Sequence, residues 1–182
     1  DYNELLNVGG NGVMGYIDIE KIQVQLPIYH GTSEGVLQIA VGHMVGSSLP
    51  VGGAGTHSVL TGHTGLPSSK ILTDLDRMEV GDHFDLHVLG DLLRYRVDQI
   101  LTVEPHETEA LMIDREQDRV TLITCTPYGI NSHRLLVRGS RMAYIPETPE
   151  QPIVENVRTI AAWKIALGLA AIRLIWILLG LW

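Results

Sequence analysis

The chain has 182 residues, 45% of them hydrophobic, and 13 Lys and Arg against 21 Asp and Glu give it a formal net charge of −8. That length suits one domain of roughly 100 to 200 residues with a short appendage. The acidic balance, with no Lys/Arg run, argues against nucleic acid as a partner, because phosphate binding needs a concentrated basic surface. The chain opens on Asp1 with no basic-then-apolar leader, which reads as an internal segment of a longer product. From Gly15 onward, short β-branched runs alternate with Gly-, Pro- and Asp-rich turns, the pattern of an antiparallel all-β fold. Strands are expected over residues 16–19, 22–29, 58–61, 83–89, 93–103, 120–125, 135–138 and 142–145. Eight short strands can close into a barrel, which removes exposed edges. Helix is sparse: Ser33 opens one turn, and Ser68 or Ser69 can cap a second over residues 70–75 through its hydroxyl.

After the barrel, Pro146, Pro149 and Pro152 fall within seven residues and oppose both helix and central strand, so residues 146–158 read as an extended linker closing a domain over residues 1–145. Residues 159–182 form a different solvent class, in which Lys164 and Arg173 are the only charges. The 18 residues from 165 to 182 would make a helix of about 27 Å, near the ~30 Å hydrocarbon thickness of a bilayer. Arg173 at mid-span costs roughly 2.5 to 3.5 kcal/mol, which several Leu and Ile offset. Lys164 and Arg173 fall on opposite faces of such a helix, so no single polar stripe supports an amphipathic helix lying on the lipid surface. A membrane anchor is the preferred reading over a surface or core helix.

The sole cysteine, Cys125, excludes an intrachain disulfide and a Cys-rich zinc site. It ends the run Thr121-Leu-Ile-Thr-Cys125, which stops at Thr126-Pro127, where proline ends central pairing. The thiol is therefore expected at a strand end on the barrel rim, either as inert packing or as a nucleophile. Arg134 opens the next apolar strand after the turn at residues 128–133. If the two strands are neighbours, its guanidinium meets Cys125, where it can favour a thiolate or donate to an oxyanion; pairing with a surface carboxylate is the alternative. A thiol nucleophile needs an imidazole partner. Among eight histidines, His63 is best placed, following a strand and flanked by Gly62 and Gly65. His30, His43, His57 and His133 also lie in polar or turn contexts, and spacing alone does not choose among them. His83, His87 and His106 read as solvated. No HExxH motif is present, and His83 with His87 on one strand face lacks a third ligand, so neither a metal nor another cofactor is expected.

Longer stretches carry a resemblance. Leu26-Pro-Ile-Tyr-His-Gly-Thr-Ser33, Ser48-Leu-Pro-Val-Gly-Gly53, His57-Ser-Val-Leu-Thr-Gly-His63, Thr73-Asp-Leu75 and the segment from Cys125-Thr-Pro-Tyr-Gly to Arg134-Leu-Leu-Val-Arg-Gly139 resemble the class C, pilus-building sortases of Gram-positive bacteria, over about residues 5–142. The resemblance implies an eight-stranded sortase-type β-barrel and a cysteine transpeptidase that cleaves a Leu-Pro-x-Thr-Gly sorting signal between Thr and Gly through a thioacyl enzyme. The acceptor is then a lysine of a pilin subunit. It further implies Cys125 as nucleophile, His63 as general acid and base, and Arg134 as the residue stabilising substrate and oxyanion. A C-terminal membrane anchor with the catalytic barrel outside the cell agrees with the tail. A housekeeping sortase acting on a cell-wall amine, and a barrel that binds without chemistry, are the alternatives. The family's Asp-Pro-aromatic lid motif is absent from this chain and is expected upstream of Asp1.

Overall fold

Residues 1–65 and 71–143 are described by the computed structural model of the chain. Eight strands close there into a barrel: β1 (Val13–Ile19), β2 (Val24–His30), β3 (Val41–His43), β4 (Thr56–Thr61), β5 (His83–Val88), β6 (Asp91–Val103), β7 (Asp118–Thr126) and β8 (His133–Arg141). Their order around the barrel is β1, β2, β3, β4, β7, β8, β6, β5, and β5 pairs with β1 to close it. The all-β barrel expected from the alternation is thus present, with two corrections. Two pairs, β2 with β3 and β4 with β7, run parallel rather than antiparallel. The eighth strand is β3, a three-residue segment, and not residues 142–145; Met142 and Ala143 follow β8 without strand structure, and the rest of that segment is outside the described residues.

Helical structure is confined to one turn, α1 (Glu34–Leu37), opened by Ser33 as expected, and to 3-10 turns at Tyr2–Glu4, Glu20–Ile22, Leu75–Arg77 and Glu109–Leu111. Ser33 makes no side-chain capping bond; the turn is held by Leu37 N–H and Val36 N–H, which both donate to the Ser33 carbonyl at 3.0 Å. The helix expected over residues 70–75 begins outside the described residues, and from Ile71 the chain runs through turns into the 3-10 segment. The expected linker and membrane anchor also lie outside them. Among the described residues no helix is long and apolar enough to cross a membrane.

The barrel interior is filled by alternate residues of every long strand: Ile17 and Ile19, Ile28, Leu60, Phe84 and Leu86, Tyr95, Leu122 and Val137 are all buried. Phe84 and Tyr95 stack at 5.7 Å between ring centroids, an offset arrangement that aromatic quadrupoles favour. A second, smaller cluster sits on the outer face, where Val59, Ile123 and Leu136 pack with Leu101, Val103, Ala110 and Leu111. The connection from β6 to β7 covers that face, so β4 and β7 are buried on both sides and lose the polar alternation of a half-exposed strand. Where the cover ends, β7 emerges at Cys125 and Thr126, both only half-buried.

Candidate active site

Cys125 stands opposite Arg134 in the register of β7 against β8. Side chains alternate along a strand. Leu122 and Val137 point into the barrel, whereas Ile123 and Leu136 belong to the outer cluster. Cys125 and Arg134, two positions beyond Ile123 and two before Leu136, therefore share the outer face. The thiol lies at the strand end, as expected, but on the outer wall of the barrel and not over its mouth.

His63 reaches the same face from the other side. Strand β4 runs parallel to β7 up to the pair Thr61 and Ile123. The pairing carries on past the last ladder position: Gly62 N–H donates to the Ile123 carbonyl at 3.1 Å, and Thr124 Oγ1 donates to the Gly62 carbonyl at 2.8 Å. Two residues after Thr61 and Ile123 come His63 and Cys125. Counting along the two strands places His63, Cys125 and Arg134 in one row across three adjacent chains. The backbone at His63 is pinned from below, since Leu72 N–H donates to its carbonyl at 3.2 Å and Leu72 is fully buried. Gly62 makes this possible: a Cβ there would stand 2.8 Å from Ile71 Cγ2 and 3.0 Å from Leu72.

The side chains of the row are accessible in part. Cys125 is a half-buried free thiol. The His63 ring keeps 27% of its exposure, and its Nε2 lies 3.3 Å from Glu34 Oε2 on α1. Arg134 donates through Nη1 to the carbonyls of His133, at 3.0 Å, and Asn131, at 3.3 Å, so its own loop holds the guanidinium plane. Among the described residues no carboxylate forms an ion pair with Arg134, unlike Arg94, Arg119 and Arg138, which pair with Asp85, Asp114 and Asp98. That removes the surface-pairing alternative for Arg134 within the described part of the chain. The loop joining β7 to β8 begins with a cis Thr126–Pro127 bond and turns back through Ile130 and Asn131 N–H groups, both donating to the Pro127 carbonyl.

The competing histidines separate by burial, for His43 and His57, and by their contacts, for the rest. His57 is 1% exposed; its Nδ1 donates to the Met112 carbonyl at 3.1 Å, and its Nε2 accepts from Thr121 Oγ1 at 2.7 Å. His43 is fully buried, its Nε2 donating to the Ser48 carbonyl at 2.8 Å and its Nδ1 accepting from the Tyr2 hydroxyl at 2.8 Å. Burial holds both imidazoles below their usual protonation range. Both rings have each nitrogen matched and belong to the scaffold. His30 lies between the Leu5 and Gly12 carbonyls, which tie the N-terminal segment to β2. His133 contacts Ser132 and Glu104, and His83 and His87 point outward from β5. Glu34 is the residue of this site that sequence reasoning passed over.

The Sortase domain family matches residues 17–142. Among curated relatives, 131 residues are 27% identical to sortase D of Bacillus subtilis, covering 70% of this chain and 63% of that protein. Another 31% identity extends over 134 residues of sortase A of Listeria monocytogenes, covering 73% and 58%. The chain thus spans about three fifths of the curated relatives it matches. Among solved structures, sortase C1 of Streptococcus agalactiae shares 54% identity with a TM-score of 0.78, over 79% of this chain and 75% of that one. Sortase C-1 of Actinomyces oris shares 50% with a TM-score of 0.76, over 79% and 80%. With the closed barrel and the row of Cys125, His63 and Arg134 already in place, a family match covering well over half of its length makes this chain a member of the sortase family.

Proposed function

We propose that the chain is the catalytic barrel of a membrane-anchored cysteine transpeptidase that polymerises pilin subunits bearing Leu-Pro-x-Thr-Gly signals. One observation carries the reading: Cys125 pairs with Arg134 across β7 and β8, and the parallel pairing of β4 with β7, followed two residues past its last pair, leads to His63 on the other side of the thiol. The thiolate sulfur of Cys125 attacks the carbonyl carbon of the Thr–Gly bond, and the negative charge gathers on the former carbonyl oxygen. Arg134 donates hydrogen bonds to that oxygen from a guanidinium already fixed by its loop. His63 gives a proton to the departing glycine amine as the C–N bond breaks, leaving a thioester on Cys125. A lysine amine of the next pilin attacks the thioester, His63 takes the proton it loses, and a new amide forms as the thiolate is released. The pilus class is supported by about 50% identity to solved class C sortases, one of which is described as sortase C1 of pilus island 1 of group B streptococcus. Anchoring through residues 159–182, with the barrel outside the cell, fits a substrate assembled at the cell surface.

The test is cleavage of a fluorogenic Leu-Pro-x-Thr-Gly peptide by the chain and by Cys125→Ala and His63→Ala, with thiol alkylation of the parent. Cys125→Ala should have no turnover and an unchanged melting temperature, since the half-buried thiol adds little to the core. His63→Ala should lose ~10² to 10⁴ in rate, the usual worth of a positioned proton donor. Turnover by Cys125→Ala would overturn the assignment.

A further inference from the structure

Between Glu20 and Asp74 the chain carries a single acidic residue, Glu34. That carboxylate stands against the one imidazole in the row with Cys125: Glu34 Oε2 is 3.3 Å from His63 Nε2. Its other oxygen, Oε1, accepts from Gln38 Nε2 at 3.3 Å, one turn further along the chain, so both oxygens have a partner. The pair is poorly explained as a stabilising contact. Glu34 keeps 68% of its side-chain exposure, and ion pairs at such sites contribute little to folding.

The backbone that delivers Glu34, in contrast, is fixed from two sides. Gly31 N–H donates to the Tyr2 hydroxyl at 3.0 Å. The Gly31 carbonyl packs on β3 so closely that a Cβ at Gly42 would overlap it and stand 3.1 Å from Leu37 Cδ2. From that anchored glycine the chain runs on to set one carboxylate beside one histidine.

We infer that Glu34 is a positioning residue, which holds the His63 ring by accepting a hydrogen bond at Nε2 and so leaves Nδ1 as the nitrogen that exchanges protons with the leaving and incoming amines. The inference rests on the proposed role of His63 and adds to it the group that orients the base. A nucleophile, its base and a third group that fixes the base is the arrangement by which acyl-transfer sites keep one ring nitrogen on task. Glu34 does not touch the reacting atoms, and its effect is confined to how often the ring is in the working orientation.

The experiment measures kcat and KM for the sorting-signal peptide with Glu34→Ala and Glu34→Gln, beside His63→Ala. Loss of one hydrogen bond to a charged group should lower kcat of Glu34→Ala roughly tenfold with KM unchanged. Glu34→Gln keeps a carbonyl that can accept from Nε2–H, and should recover most of that loss. A wild-type kcat in Glu34→Ala would overturn the inference, as would a loss confined to KM, which would make Glu34 a substrate contact. Equal impairment of the Ala and Gln variants would overturn it too, because charge and not orientation would then be at work. If His63→Ala loses ~10² or more in rate while Glu34→Ala is wild type, only this inference falls; if His63→Ala keeps near-parental turnover, the proposed role of His63 falls first.

Discussion

At the scale of single residues, the role proposed for Arg134 depends on shape as well as charge. One of its terminal nitrogens is held by the His133 and Asn131 carbonyls, and the planar fork therefore presents its remaining donors in a fixed direction. Lysine would keep the charge as a flexible ammonium that cannot bond the loop and an oxyanion from one plane. Arg134→Lys should consequently lose about 10² to 10³ in kcat, comparable with losing an oxyanion donor, and steady-state cleavage of the sorting-signal peptide reads it directly. Near-parental turnover would mean that charge alone is enough. The neighbouring positions of Cys125 and Arg134 were legible in the sequence because a β-branched run ending at proline fixes a strand terminus, and the next apolar run supplies its neighbour. His63 was only favoured. His43 and His57 sit in equally polar sequence, and what removes them is burial by segments distant in sequence, Tyr2 for one and Met112 with Thr121 for the other. Glu34 left no local trace either, since a solvent-facing glutamate on a four-residue helix looks like any other until β3 and β4 set it beside His63.

At the scale of elements, seven of the eight strands follow from alternation and turn residues. The exception, β3, is Val41-Gly-His43, too short to show a period and buried at all three positions. Its neighbours explain it: the strand fills the gap between β2 and β4, parallel to one and antiparallel to the other. The parallel pair of β4 and β7 was equally hidden, because partners some 60 residues apart leave no hairpin signature. That pair is nonetheless what brings His63 level with Cys125. Strand β8 shows how tightly the frame is packed. Gly139 faces the stacked rings, and a Cβ there would lie 2.8 Å from Phe84 Cε1 and 2.9 Å from Tyr95 Cβ. Neither contact is the far end of a flexible side chain. Gly139→Ala should therefore destabilise the barrel by about 1 to 3 kcal/mol, the usual cost of overpacking, and chemical denaturation would measure it. An unchanged midpoint would show that the Phe84 and Tyr95 stack can move.

For the molecule as a whole, the two buried histidines tie distant parts of the barrel together, and they make its stability depend on pH. His57 links β4 to β7 and to the covering connection at Met112; His43 links β3 to the N-terminal turn and to Ser48. For both, burial is the main cause of a protonation range lying below the ordinary 6.5, and it outweighs the opposing pull of the Met112 and Ser48 carbonyls. The positive neighbours Arg119 and Arg138 push His57 the same way, and His30 does so for His43. Above pH 6.5 both rings are neutral in the folded and the unfolded chain, and the full stability is present. As the pH falls below 6.5 the unfolded chain takes up protons that the folded one refuses, so stability is lost progressively until the folded rings titrate as well. Each ring contributes a slope of at most about 1.4 kcal/mol per pH unit. Asp82, whose carboxyl is held below its ordinary 3.8 by the Lys21 ammonium, belongs to a separate and more acidic window. Urea denaturation of the barrel at pH 7.5, 6.5, 5.5 and 5.0 should accordingly give a level midpoint down to about 6.5 and a falling one beneath it. His57→Gln, whose amide can donate to Met112 and accept from Thr121, should keep the fold and flatten part of that fall. A midpoint that stays level from 7.5 to 5.0 in the parent chain would show that these rings take up protons as readily inside the barrel as outside it.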